Sequence, residues 1–144
     1  DLVAGLERLG RDDAITEVIA PAVMLPAPGQ GALAVQCRAG DARALDLLAP
    51  LDDRSTRCAV SAERAFLQRL DAGCRLPVSA YATLDGDELH LTGRVSDLDG
   101  TRTLTVRGAA AANDAMALGV RLAEQALAQG AAALLDAVRG ALPR

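Results

Sequence analysis

PVSAYATLDGDELHLTGRVSDLDGTRTLTVRG, residues 77–108, carries the clearest structural pattern in this chain of 144 residues. Its apolar and hydroxyl-bearing runs are separated by Asp85-Gly86-Asp87 and by Asp97-Leu98-Asp99-Gly100, and both separators are typical of hairpin connections. The pattern predicts an antiparallel meander of three strands, at about 77–84, 88–96 and 101–108. Such a sheet needs helices to cover one of its faces.

Helical patterns flank these strands on both sides. One helix is predicted from about Ser55 to Leu70, and a second from Asn113 or Asp114 to about Gln129. Gly130 then separates a last apolar helix that runs to Val138, and a loose tail is expected from Gly140. Residues 54–144 therefore predict an α+β domain that is expected to fold alone.

The first fifty residues predict elements that do not close a core. Leu2, Leu6 and Leu9 share one helical face, and Asp41 to Ala49 predicts a short helix capped by Asp41. The continuous apolar run Ala32 to Val35 is typical of a strand buried on both faces, and such a strand needs neighbours. We therefore expect an incomplete α/β segment in front of the α+β domain.

Composition excludes several classes of function. The net charge is −4 and all fifteen cationic side chains are Arg, which argues against a general nucleic-acid surface, a lysine Schiff base and a Walker-type phosphate loop. No run approaches the roughly 18 apolar residues of a membrane span, and the first residues lack the features of a signal peptide. The expectation is a soluble, cytoplasmic protein with no membrane partner.

Three cysteines, at positions 37, 58 and 74, form no CxxC pair, and there is one His, so neither a disulfide framework nor a metal site is predicted. Cys37 and Cys58 are interpreted as core positions. Cys74 lies in the loop DAGCRLP, between a helix and a strand, where a thiol can point outward. His90 alternates with Leu89 and Leu91, which predicts that it faces solvent.

Three further features are interpreted from their residue types and sequence neighbours. The turn Pro28-Gly29-Gln30-Gly31 is either a simple turn or an interdomain hinge whose Gln30 amide can donate and accept hydrogen bonds. Arg8 has Glu7 beside it and is interpreted from its neighbours as a solvated surface cation. The Glu63-Arg64 pair, on the helix before Cys74, is interpreted as an ordinary interhelical ion pair that holds this segment in place, and spacing alone gives it no catalytic role.

The motifs resemble those of the porphobilinogen deaminase (hydroxymethylbilane synthase) family. Leu25-Pro26-Ala27-Pro28-Gly29-Gln30-Gly31-Ala32 is similar to the family's Leu-Pro-Ala-x-Gly-Gln-Gly-Ala. Ala62-Glu63-Arg64-Ala65 and Ala72-Gly73-Cys74 follow in the family's order, although many relatives have Gly at the position of Ala72. The opening Ala4-Gly5-Leu6-Glu7-Arg8-Leu9-Gly10 is also similar, so the resemblance covers essentially the whole chain.

The resemblance implies a transferase of tetrapyrrole and heme biosynthesis that condenses four porphobilinogen units head to tail, with release of ammonia, on a covalent dipyrromethane primer. It implies that Cys74 is the thioether attachment point, that Gln30 and Gly31 face the cofactor, and that Arg8 binds a carboxylate arm. No catalytic residue of the family is expected in this chain, because the family's aspartate belongs to lobes that precede this region. The chain alone is therefore expected to be inert.

The resemblance also implies a domain map. Residues 1–25 would end the second α/β, periplasmic-binding-protein-like lobe, residues 26–50 would form the hinge and return to the first lobe, and residues 54–144 would form the cofactor-attachment domain. The implied partners are porphobilinogen and the N-terminal lobes of the same enzyme, with a monomer as the full-length state. A non-enzymatic α/β binding or assembly module with a structural cysteine is the alternative, and a thiol-dependent redox protein is a third.

Overall fold

A computed structural model describes residues 2–73 and 75–141 of the chain. In chain order the elements are α1 (Leu2–Arg8), α2 (Ala42–Leu48), α3 (Arg54–Arg69), β1 (Val78–Asp85), β2 (Glu88–Ser96), β3 (Thr103–Ala111), α4 (Ala115–Ala128) and α5 (Ala131–Ala141). Short 3-10 turns occur at Asp12–Ala14, Ala49–Leu51 and Ala112–Asp114. The α+β class is confirmed, and α5 continues past the predicted end, through Gly140.

The three strands form one antiparallel sheet in the order β1-β2-β3. The register places Tyr81 opposite Thr92, and Thr92 opposite Arg107. The predicted meander is confirmed, with β2 at its predicted bounds and β3 starting and ending a few residues late. Because β2 is central, β1 and β3 each leave one edge that no strand of the described chain occupies.

Helices cover one face of this sheet, as predicted. α3 packs against α4, α3 also packs on β1, and α4 packs on β3, while α5 contacts β2. Leu89 and Leu91 are buried under the helices and His90 between them is exposed, which confirms the alternation read from β2. Phe66, the single Phe of the chain, is fully buried at the centre of this core.

α3 begins with a complete N-terminal cap. The Asp53 carboxylate accepts a hydrogen bond from the Thr56 N–H at 2.7 Å and one from the Ser55 hydroxyl at 2.6 Å. These hydrogen bonds, that of Ser55 first, lower the pKa of Asp53 to about 2. α3 therefore has a defined start at Arg54 and runs for sixteen residues, and its direction fixes where the following loop lies.

The prediction of a buried strand at Ala32 to Val35 was wrong. These residues are irregular, and the Leu33 and Val35 side chains are 97% and 65% exposed. A strand needs a partner for its backbone N–H and C=O groups, and no strand of the described chain pairs with residues 32–35. The helix predicted after this run is confirmed: Asp41 caps α2 by accepting from the Ala44 N–H at 3.1 Å.

Large apolar side chains are exposed mainly in the first fifty-one residues. The exposed set there comprises Leu9, Val18, Ile19, Val23, Met24, Leu33, Val35, Leu45, Leu47 and Leu51. This part of the chain lacks a core of its own, because the buried cluster is built from α3, α4, α5 and the sheet. None of the described helices combines the length and apolar character that crossing a bilayer requires.

Candidate functional site

The loop predicted to carry the chemistry begins where α3 ends. The Asp71 N–H donates to the Gln68 carbonyl at 3.0 Å, and the Ala72 N–H donates to the Leu67 carbonyl at 3.3 Å. Asp71 takes a left-handed conformation with φ of 50°, and Ala72 packs into the core. This is a Schellman motif, with Asp in the position that Gly usually occupies. It turns the chain sharply out of the helix.

The far side of the loop is held to the sheet. The Leu76 N–H donates to the Gly73 carbonyl at 3.1 Å. The Ser96 N–H, at the end of β2, donates to the Pro77 carbonyl at 3.0 Å. Cys74 itself lies outside the described residues, so the predicted outward orientation of its thiol stays a prediction.

An arginine of the last helix contacts the start of this loop. Arg139 on α5 donates through Nη2 to the Asp71 carbonyl oxygen at 2.7 Å. Its Nη1 donates to the Asp136 carboxylate at 2.9 Å, so a neighbour on the same helix orients the guanidinium. The left-handed residue is therefore fixed by α3 on one side and by α5 on the other.

The Gln30 turn is a second defined structure. The Gln30 N–H donates to the Ala27 carbonyl at 3.0 Å, and the Ala32 N–H donates to the Gly29 carbonyl at 3.3 Å. Gly29 and Gly31 have φ angles of 73° and 85°, which residues with a Cβ rarely adopt. The two glycines flanking Gln30 are therefore required by the backbone.

This turn is docked on the free edge of β1. The Ala80 N–H donates to the Pro26 carbonyl at 3.1 Å. The Glu63 carboxylate, projecting from α3, accepts the Gly29 N–H at 2.7 Å through Oε2 and the Ala82 N–H at 2.8 Å through Oε1. One side chain thus joins the turn, the helix and the strand.

The interpretation of Glu63-Arg64 as an ordinary interhelical ion pair was wrong, because Glu63 accepts hydrogen bonds from backbone N–H groups instead. Glu63 is 5% exposed, and among the described residues it accepts hydrogen bonds from two backbone N–H groups and forms no ion pair. Burial raises the pKa of Glu63, while the N–H groups of Gly29 and Ala82 act in the opposite direction. Helical spacing could not have indicated these partners, which are 34 and 19 residues away.

Two small cavities adjoin the turn. One, of about 260 Å³, is lined by Gln30 and Gly31 together with Thr56, Glu63 and Tyr81. The other, of about 180 Å³, follows directly along the chain and is lined by Leu33, Arg57 and Arg64. Amide, hydroxyl, guanidinium and carboxylate groups therefore line the space around the turn.

The remaining predicted residues lie elsewhere. Arg8 is exposed at the end of α1, and none of the described hydrogen bonds or ion pairs joins it to the Gln30 turn. Cys58 packs against the core, as predicted, whereas Cys37 is half-buried beside Leu33 and Leu45, away from that core. No group of three or more potential metal ligands occurs within residues 2–73 and 75–141.

Comparison with known families and proteins gives a consistent assignment. The family profile described as "Porphobilinogen deaminase, C-terminal domain" matches residues 57–128, and the profile described as "Porphobilinogen deaminase, dipyromethane cofactor binding domain" matches residues 3–46. The chain belongs to the porphobilinogen deaminase family. The Gln30 turn lies within residues 3–46, which match the cofactor binding domain profile. Glu63 and β1 lie within residues 57–128, which match the C-terminal domain profile.

Individual relatives agree with the profiles. Over 132 residues the chain is 52% identical to the porphobilinogen deaminase of Roseiflexus castenholzii (strain DSM 13941 / HLO8), an alignment that covers 92% of the chain and 43% of the relative. Over 145 residues it is 48% identical to that of Mycobacterium tuberculosis (strain ATCC 25618 / H37Rv), with 94% and 47% covered. The chain therefore spans less than half the length of these relatives.

Proposed function

We propose that this chain is the cofactor-attachment part of a hydroxymethylbilane synthase. In this proposal Cys74 holds the dipyrromethane through a thioether, and porphobilinogen is the substrate of the whole enzyme. The observation that carries the proposal is the loop architecture: the residues on both sides of Cys74 are held by the α3 terminus, Arg139 and β2. Holding the residues on either side of an attachment point restricts where a tethered group can lie while units are added to it.

The side chains around the turn suit the proposed cofactor. The resemblance implies acetate and propionate arms on each pyrrole, and a guanidinium matches a carboxylate with two parallel hydrogen bonds. Arg57 and Arg64 line the cavity that follows the turn, although Arg57 also pairs with Asp52 at 3.0 Å. We propose that Gln30 and Gly31 face the cofactor and that Arg8 binds one of its carboxylate arms. When bound, the dipyrromethane supplies the primer on which four porphobilinogen units are condensed.

We propose further that residues 1–25 and 26–50 belong to the second and first α/β lobes, and residues 54–144 to the cofactor-attachment domain. The support is the contrast in burial: the domain has a closed core, whereas Leu33, Val35, Leu47 and Leu51 lie open to solvent. An exposed apolar surface of this kind marks an interaction site. Its proposed occupant is the family sequence that the relatives have beyond the length of this chain.

The test uses a full-length family protein that carries these 144 residues, compared with its Cys74→Ser variant. Intact mass of the denatured protein is expected to show a two-pyrrole adduct that Cys74→Ser abolishes together with hydroxymethylbilane formation. The chain alone is expected to form no product. Active full-length enzyme with an unmodified Cys74 would overturn the proposal and favour a structural cysteine. A cytoplasmic, monomeric enzyme is proposed, and fractionation with size-exclusion chromatography tests both points.

A further inference from the structure

Both oxygens of a single buried carboxylate are used to join two distant parts of the chain. Glu63 accepts from Gly29 at 2.7 Å and from Ala82 at 2.8 Å, and its side chain is almost entirely removed from solvent. Burying a carboxylate is costly unless its hydrogen-bonding capacity is satisfied. No described ion pair includes Glu63, so backbone donors satisfy it in place of a cation.

The two partners call for a side chain that presents two acceptor oxygens. Both are N–H donors, so the residue between them has to present two acceptor atoms. A glutamine of the same shape has one acceptor oxygen, and its NH₂ group would face the second donor. An apolar residue would leave both N–H groups without a partner, unless water entered.

The position of Glu63 also relates the turn to the cysteine loop. Glu63 and the Schellman end belong to the same helix, with Glu63 six residues before Arg69, a rise of about 9 Å. Because the cysteine loop follows directly from the end of α3, a contact that fixes the turn to α3 also fixes the turn relative to that loop. The Ala80 to Pro26 hydrogen bond fixes the other side of the turn to β1.

We infer that Glu63 is a positioning residue, whose carboxylate fixes the Gly29-Gln30-Gly31 turn on the edge of β1 and thereby sets the place of Gln30 relative to the cysteine loop. The structural half of this inference, that Glu63 fixes the turn on β1, rests on the hydrogen bonds alone. The functional half rests on the proposed function, because it requires Gln30 to face a cofactor attached at Cys74. The two halves have separate measurements.

The first measurement is made on the unaltered 144-residue chain. Hydrogen bonds of 2.7 and 2.8 Å transmit scalar coupling across the bond, so NMR is expected to detect coupling from the Glu63 carboxyl carbon to the amide nitrogens of both Gly29 and Ala82. Amide exchange then compares Glu63→Gln with Glu124→Gln, a control at an exposed glutamate of α4. In Glu63→Gln, at least one of the two amides is expected to exchange about tenfold faster or more, with Leu91 unchanged.

Absence of both couplings, or unchanged exchange of both amides in Glu63→Gln, would overturn the structural half. Should Glu63→Gln unfold the chain, the coupling measurement still decides, because it needs no substitution. Neither result depends on whether Cys74 carries a cofactor.

The second measurement is made on the full-length protein. Glu63→Gln is expected to lower kcat at least tenfold, Glu63→Asp to recover part of the loss, and Glu124→Gln to leave kcat unchanged. Unaltered kcat in a Glu63→Gln protein whose Gly29 amide exchanges faster would refute the positioning role. An inactive, adduct-free wild-type protein would instead refute the proposed function and leave the coupling result intact.

Discussion

Arg139 and Asp71 are 68 residues apart in sequence and are joined by a 2.7 Å hydrogen bond from the guanidinium to the Asp71 carbonyl oxygen. The bond matters because Asp71 adopts a left-handed conformation that is uncommon for a residue with a side chain. α3 ends there, and the cysteine position follows three residues later. The last helix therefore contributes directly to the loop geometry, although it is remote from the loop in sequence.

Replacing Arg139 by alanine is expected to loosen the start of this loop. The loss of one hydrogen bond from a charged donor corresponds to about 1 kcal/mol, which is a roughly fivefold faster exchange of the Ala72 amide. Arg121→Ala is a matched control, because Arg121 is also a partly exposed arginine that donates to a backbone carbonyl, that of Ala109 at 3.0 Å. Equal exchange of Ala72 in both variants would show that Arg139 does not hold the loop.

The raised pKa of Glu63 predicts a specific dependence of stability on pH. The folded chain binds the Glu63 proton more tightly than the unfolded chain does. In the unfolded chain the pKa of this carboxyl has its ordinary value of 4.5. The free energy of unfolding contributed by this group is therefore greatest below pH 4.5 and declines as pH rises through the raised pKa. Denaturant titrations are expected to show this decline in wild type but not in Glu63→Gln. A wild-type minus variant difference that is constant with pH would contradict the direction of the shift.

The pKa of Asp53 is shifted in the opposite direction to that of Glu63. Its contribution to the free energy of unfolding therefore changes over a different pH range. Its pKa is lowered to about 2, so its contribution is present above its ordinary value of 3.8 and is lost as pH falls toward 2. The decline assigned to Glu63 occurs on the other side, above pH 4.5. The difference in free energy of unfolding between wild type and Glu63→Gln at each pH excludes the Asp53 contribution, because both proteins contain Asp53.

The sequence predicted the meander and its helices because their signals are local. Asp-Gly turns, strict alternation around His90 and an Asp cap at α2 each depend on a few neighbouring residues. Ala32 to Val35 was misassigned for the opposite reason, since a strand exists only where another strand accepts its hydrogen bonds. Glu63 was misassigned similarly, because its partners come from tertiary structure. The orientation of Cys74 stays a prediction.

Gly119 lies where α4 packs closely on α3, and it predicts an unusual response to alanine. A Cβ at this position would lie 2.8 Å from the Ala65 Cβ and 2.9 Å from the Phe66 backbone nitrogen. Glycine to alanine normally stabilises a helix by up to about 1 kcal/mol, but here overpacking is expected to cost about 1–3 kcal/mol. Denaturant unfolding measures the change.

A helical glycine with open surroundings is the control. Gly140 on α5 has no atom within 4 Å of its would-be Cβ, so Gly140→Ala is expected to stabilise the chain by about 0.5 kcal/mol. The two substitutions are chemically identical and are expected to have opposite signs. The same sign for both would mean that α3 and α4 are not in close contact at Gly119.

Leu33 tests whether the open apolar surface is covered in a longer protein. Its side chain is 97% exposed, so Leu33→Ala in this chain is expected to change the free energy of unfolding by less than about 0.5 kcal/mol. If the remaining family sequence packs over residues 26–50, the same substitution in the full-length protein removes a buried leucine and costs about 2–5 kcal/mol. Leu91→Ala, buried in the core, is expected to be equally costly in both settings. A silent Leu33→Ala in the full-length protein would show that Leu33 remains exposed there, and the assignment of 26–50 to another lobe would lose its physical basis.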